Sequence, residues 1–145
     1  MPERPRTIAA RGMLGARVCL TDSVPEAIEF VRQNIRLNGL DEERACCQLL
    51  DWESPEDLHP FSLILGSEIL YDYFFHGSLI RIFRRLLAPG GTILLADRPR
   101  LAVSRFIGRM RDAGYRCKEI QTRVNLHPFP PQEISIFSLA ILPQR

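Results

Sequence analysis

The chain is short of the features that mark several functional classes. Lysine is nearly missing: of 19 basic residues in 145, Lys118 alone is lysine and the rest are arginine, with a net charge of +2. Such a balance is unremarkable, and a compositional bias accounts for it as well as any function does. No apolar run approaches the roughly 18 residues a membrane helix needs. No signal-peptide pattern opens the sequence, so the default expectation is a cytoplasmic location. The four cysteines, Cys19, Cys46, Cys47 and Cys117, show neither CxxC nor Cys/His ligand spacing. Nothing therefore requires a metal, and Cys19 and Cys46, lying in apolar runs, are expected to be buried thiols rather than ligands or disulfide partners. There is no internal repeat and no linker, and the length reads as one domain or part of one.

What is present is an alternation of strand-like and helix-like segments. Arg17–Thr21 reads as a short strand with Val18 and Leu20 toward a core, preceded by a short helix over Thr7–Ala16. Ser23-Val24-Pro25-Glu26 has the pattern of a capping box, with Ser23 as N-cap and Glu26 at the third helical position. Val24, Ile28, Val31 and Ile35 then recur at helical spacing, and Gly39 closes the helix after Asn38. Ala45–Leu50 is the next strand. Phe61-Ser-Leu-Ile-Leu-Gly is almost continuously apolar, which suits a strand buried on both faces in the middle of a parallel sheet. After Asp72 a helix runs to Leu87, with Leu79, Ile80, Phe83, Leu86 and Leu87 inward and Arg81, Arg84 and Arg85 outward. Pro89-Gly90-Gly91 breaks it. Thr92–Ala96 is a strand ending in Asp97, and Val103, Phe106, Ile107 and Met110 mark another helix. Tyr115–Val124 and Ile134–Leu142 are final strands around a proline-rich turn. The fold class is α/β, a doubly wound, mostly parallel sheet with an antiparallel last strand.

In open α/β sheets chemistry collects just past the carboxyl ends of strands, and three acidic residues stand there: Asp22, Asp51 and Glu68. A carboxylate at Asp22 can accept hydrogen bonds from the vicinal hydroxyls of a ribose; its plainer role is capping, shared with Ser23. Asp51-Trp52 pairs an acceptor with a large aromatic, which suits the amino edge and face of an adenine, or else a core tryptophan beside a loop carboxylate. Glu68 is either a site residue or a helix N-terminal carboxylate. His127 and Phe129 lie at the same sheet edge if the preceding strand is parallel to the others, although a rigid solvent turn explains them too. Arg105, Arg109 and Arg111, opposite an apolar stripe, read as a solvated face rather than an RNA surface.

RVCLTD, EAIEFVRQNIRLNG, QLLDWE, FSLILGSEILYD and LLAPGGTILLADR, in that order, make a pattern that resembles class I S-adenosylmethionine-dependent methyltransferases. More narrowly it resembles the protein lysine methyltransferases called methyltransferase family 16, from about Ile8 onward. LDW and the acidic-x-x-Tyr signature are the specific parts. The resemblance implies that Asp22, with Ser23, holds the ribose hydroxyls of the methyl donor and that Asp51 and Trp52 contact its adenine. It also implies that Ser67 lies among the donor contacts and that Glu68 and Tyr71 form the motif beside the transferred methyl. The implied cofactor is S-adenosylmethionine and the implied acceptor a nitrogen, protein lysine first, with small-molecule amines as the alternative.

One family element does not occur in the sequence. The acidic-x-Gly-x-Gly loop after a first strand, where the backbone approaches the donor closely enough to need glycine, has no counterpart; MPERPRT stands in its place. In the family's sheet that first strand lies between the strands here read as Arg17–Thr21 and Phe61–Gly66. Buried unpaired backbone groups cost about 1–3 kcal/mol each, so three outcomes are open: the sheet rearranges, a partner chain completes it, or the sequence is an N-terminally incomplete form of a single methyltransferase domain. The last is the expectation adopted. Against the enzyme reading stand a non-catalytic remnant acting as a protein-binding module and, less well supported, a dinucleotide-binding oxidoreductase.

Overall fold

Proline 25 decides where the first described helix begins. The computed structural model describes residues 16–41, 43–55 and 58–142, and the chain divides into two compact units, Met1–Glu56 and Asp57–Arg145. The helix predicted over Thr7–Ala16 falls almost wholly outside the described residues.

In the first unit, strand β1 (Val18–Asp22) leads to helix α1 (Pro25–Leu37) and strand β2 (Ala45–Leu49). Pro25 occupies the first helical position, where its fixed φ and missing N–H cost nothing. The N-cap is therefore Val24, without a side-chain cap, and the Ser23–Glu26 capping box does not form. Instead the Asp22 Oδ1 accepts the Val24 N–H at 2.9 Å. Val24 is exposed, so the buried stripe starts at Ile28 and continues through Val31 and Ile35.

At the other end Gly39, at φ 61°, donates to the Arg36 carbonyl and Leu40 donates to that of Ile35, a Schellman closure. It returns Leu40 to the cluster of Val31, Ile35 and Ala45, where Leu20 and Cys47 also pack. The parallel ladder sets Val18 opposite Ala45 and Asp22 opposite Leu49. Because side chains alternate along a strand, Leu20 and Cys47 turn to the helix while Cys19 and Cys46 take the other face. Cys46 is exposed, contrary to the expected buried thiol: α1 covers one face of this ladder only.

The second unit contains β3 (Phe61–Ser67), a 3-10 turn (Tyr73–Phe75), α2 (His76–Leu86), β4 (Leu87–Asp97), α3 (Leu101–Asp112), β5 (Tyr115–Val124) and β6 (Gln132–Ile141). Its strands lie in the order β3-β4-β6-β5. β3 and β4 are parallel and β6 is antiparallel to both β4 and β5. β3, β4 and β5 thus share a direction, which places the connection 125–131 at the edge where β3 and β4 end. Ile93, Leu95 and Leu139 are at most 1% exposed; each such side chain contributes about 1.5–3 kcal/mol and holds β6 in the sheet interior.

Three expectations change here. Among the described residues β3 is an edge strand with β4 as its one ladder partner, and with Leu65 42% exposed it is not a strand buried on both faces. In α2 it is Ile82 that is buried with Leu79, Phe83 and Leu86, while Ile80 is half-buried. Pro89-Gly90-Gly91 does not interrupt the chain between elements: β4 already starts at Leu87, and the segment is absorbed as a register shift opposite Phe61–Leu63. The arginines of α3 named above are exposed, and Val103, Phe106, Ile107 and Met110 are buried.

Candidate functional site

Parallel pairing brings the two carboxylates of the first unit to one edge. β1 ends at Asp22, and the Leu50 N–H binds the Asp22 carbonyl at 2.8 Å, which carries the ladder one residue further to Asp51. Each carboxylate is fixed by a backbone N–H two residues on: Asp22 by Val24 and Asp51 by Glu53, both at 2.9 Å. Both side chains are exposed. Each spends Oδ1 on that turn and retains Oδ2 as an acceptor. Trp52, half-buried, follows Asp51 directly, and Ser23 is exposed after Asp22.

In the second unit the acidic-x-x-Tyr loop is built around Leu70. That residue is 1% exposed, and both its backbone groups are held by buried side chains. Its N–H donates to the Asp97 Oδ2 at 3.2 Å, and its carbonyl accepts from the His76 Nε2 at 2.8 Å. The carbonyl has no hydrogen to give, so this nitrogen carries the proton and fixes the tautomer. The His76 ring packs edge-on against Phe106, with centroids 5.0 Å apart. Pinning Leu70 inward leaves its neighbours outward: Tyr71 is 60% exposed, and Glu68 sits at φ 54°. That left-handed conformation is unusual for a residue with a side chain and costs about 1–3 kcal/mol. The Glu68 N–H binds the Ala96 carbonyl at 2.9 Å, extending the β3–β4 ladder into the loop.

Around Glu68 lie groups that the sequence reading did not single out. Arg98 meets the carboxylate as a fork, Nε to Oε1 at 3.2 Å and Nη2 to Oε2 at 3.4 Å, the planar pairing guanidinium favours. Arg100 Nη2 also donates to Oε2 and reaches the Asp97 Oδ1 at 3.2 Å. Its guanidinium lies 5.9 Å from the centre of the Tyr71 ring, within cation–π range. Of the four acceptor positions on a carboxylate, three on Glu68 are taken among the described residues, leaving one on Oε1. Asp97 is 1% exposed and takes the Arg98 N–H at 2.8 Å. Burial raises its pKa, as does the charge of Glu68, against hydrogen bonds from Leu70 and Arg98 and the charge of Arg100.

From the sequence Asp97 reads as a strand end, and neither Arg98 nor Arg100 carries an assigned role. The one available signal was polar residues clustered just past β4 in ADRPR. Ser67 is the exposed last residue of β3, and His127 and Phe129 are exposed in the β5–β6 turn. No group of three or more His, Cys, Asp or Glu side chains suited to a metal occurs among the described residues.

Comparison with known proteins identifies the family of the chain. A protein-lysine N-methyltransferase, rrg1, of Schizosaccharomyces pombe is 31% identical over 99 residues, 60% of this chain and 32% of its own. The protein N-lysine methyltransferase METTL21A of Xenopus tropicalis is 34% identical over 91 residues, 61% of this chain and 42% of its own. The chain thus spans about a third to two fifths of the length of these curated relatives. The N-methyltransferase NodS of Bradyrhizobium japonicum, solved with S-adenosyl-L-homocysteine, superposes with a TM-score of 0.63 at 19% identity, covering 85% of this chain and 65% of that one. That likeness establishes the Rossmann-like methyltransferase fold. The profile described as lysine methyltransferase matches residues 7–113, most of the chain and both of its units, and the chain therefore belongs to the lysine methyltransferase family.

Proposed function

We propose that this chain carries donor- and acceptor-side residues of an S-adenosylmethionine-dependent protein lysine N-methyltransferase, as part of a single methyltransferase domain. The observation that carries the reading is the Glu68–Tyr71 loop. Its centre is locked by Asp97 and His76 and its two chemical side chains are turned outward at the carboxyl end of a parallel strand.

The residues of the first unit suit the methyl donor. Asp22 is held in place with a carboxylate oxygen left to accept from ribose hydroxyls, and Asp51 and Trp52 offer an acceptor and an aromatic face to adenine. Ser23 adds a hydroxyl at the end of β1, and Ser67 offers another at the end of β3. S-adenosylmethionine, when bound, supplies an electrophilic methyl on a sulfonium. The acceptor amine must arrive neutral, with its lone pair in line. Glu68 takes one amine hydrogen on the remaining position of Oε1, and Arg98 and Arg100 fix the direction in which that position points. Tyr71 forms one wall for the alkyl part of the acceptor. Alignment provides most of the rate, with no covalent step by the protein. Protein lysine is the acceptor favoured by kinship with the two curated methyltransferases, and a small amine is the alternative.

The test is calorimetric titration with S-adenosylhomocysteine of this chain and of an upstream-extended form, followed by methyl transfer to peptide lysine. Asp22→Ala should weaken binding about 10–100-fold through loss of charge-assisted hydrogen bonds. Glu68→Gln should leave binding intact and lower kcat about 100-fold or more. No binding by the extended form overturns the proposal, and binding with no transfer to any amine favours the protein-binding module.

A further inference from the structure

We propose that Cys19 and Cys46 form a hydroperoxide-responsive thiol pair that closes to a disulfide across β1 and β2. The two are direct partners in the parallel ladder and occupy the face of the strand pair turned away from α1. Adjacent strands run about 4.8 Å apart, inside the range of about 4.4–6.8 Å between Cα atoms that a disulfide spans. Cys47, next in sequence, packs on the opposite face with Leu20 and the helix, and Cys117 belongs to the second unit. The sheet thus brings together one pair out of four cysteines.

The two thiols differ in a way that divides the chemistry. Cys46 is exposed and Cys19 half-buried, so a peroxide meets Cys46 first. Burial first, and then the neighbouring Cys46 and Cys47, push the Cys19 thiol up to about 12, so Cys19 keeps its proton. In the first step the Cys46 sulfur attacks the peroxide: an S–O bond forms, the O–O bond breaks, sulfur is oxidised by two electrons to a sulfenic acid, and the departing oxygen takes up the thiol proton and leaves as water or an alcohol. In the second step Cys19 attacks the Cys46 sulfur. The S–S bond forms, the S–O bond breaks, and hydroxide leaves with the Cys19 proton as water. Side chains standing side by side on a sheet start farther apart than the about 3.8 Å that disulfide Cβ atoms prefer, so the bond is strained and readily reduced. That suits a reversible modification rather than a structural staple.

The experiment treats the 145-residue chain with stoichiometric hydrogen peroxide, alkylates it in denaturant with iodoacetamide and measures intact mass, with and without dithiothreitol. Two of the four cysteines should escape alkylation and recover on reduction, and tandem mass spectrometry of the peroxide-treated, unsubstituted chain should link Cys19 to Cys46 rather than Cys47. Cys47→Ser should still close, whereas Cys19→Ser and Cys46→Ser should not. A bond mapped to Cys47 or Cys117, a disulfide-linked dimer, four thiols still alkylatable, or Cys46 oxidised to sulfinic acid without a crosslink would each overturn the proposal. Mapping on the unsubstituted chain decides the matter even where a variant folds poorly.

Discussion

At the scale of single residues, Asp97 is the anchor of the candidate acceptor loop. It joins the Leu70 and Arg98 amides to the Arg100 guanidinium while almost wholly out of solvent. Its folded pKa lies above the ordinary 3.8 because burial opposes the charge. Protonation therefore favours the folded state. The contribution of this group is present in full below the ordinary value and is lost as pH rises through the raised folded one. A carbon-detected NMR titration should place the Asp97 midpoint above 3.8, and a midpoint at or below it would refute the assigned balance of burial and hydrogen bonding. Glu68 and Tyr71 were legible in the sequence because they directly follow an apolar run. Asp97, Arg98, Arg100 and His76 were not: their partners lie up to 32 residues away, and neither periodicity nor spacing encodes such a meeting.

Among the elements, two glycines should respond in opposite directions to the same substitution. A Cβ at Gly91 would stand 2.8 Å from the Ala88 carbonyl oxygen and 3.1 Å from that of Ser62, backbone atoms of the ladder that cannot step aside. Gly91→Ala should cost about 1–3 kcal/mol. In the middle of α3, a Cβ at Gly108 meets nothing within 4 Å, so Gly108→Ala should gain about 0.5–1 kcal/mol from the lost backbone freedom of the unfolded chain. Urea denaturation of both variants measures the pair, and a like sign for the two changes would show the irregular start of β4 to be plastic. The same segment explains a misreading. Pro-Gly-Gly ordinarily ends an element, but the ladder to β3 tolerates it through a register shift, a property of the partner strand rather than of the segment. The start of α1 was misjudged for a simpler reason, since Pro25 moved the cap one residue on from Ser23.

For the molecule as a whole, the alternation of strands and helices was readable from hydrophobic spacing, and the direction of the last strand from its proline-rich turn. The ladder order was not, because a short apolar run looks alike at an edge and in an interior. Sheet order also fixes a sequence of events in biosynthesis. β6 is made after β5, yet it lies between β4 and β5, and among the described residues β5 has no other ladder partner. While the ribosome is still translating, β5 emerges without its ladder partner. A stop codon placed before Gln132 should leave Tyr115–Val124 open to limited proteolysis while the full chain resists. Equal resistance of both would mean that α3 alone secures β5. The second unit thus has to wait as an unfinished sheet until β6 arrives, an interval in which a chaperone would find an exposed edge.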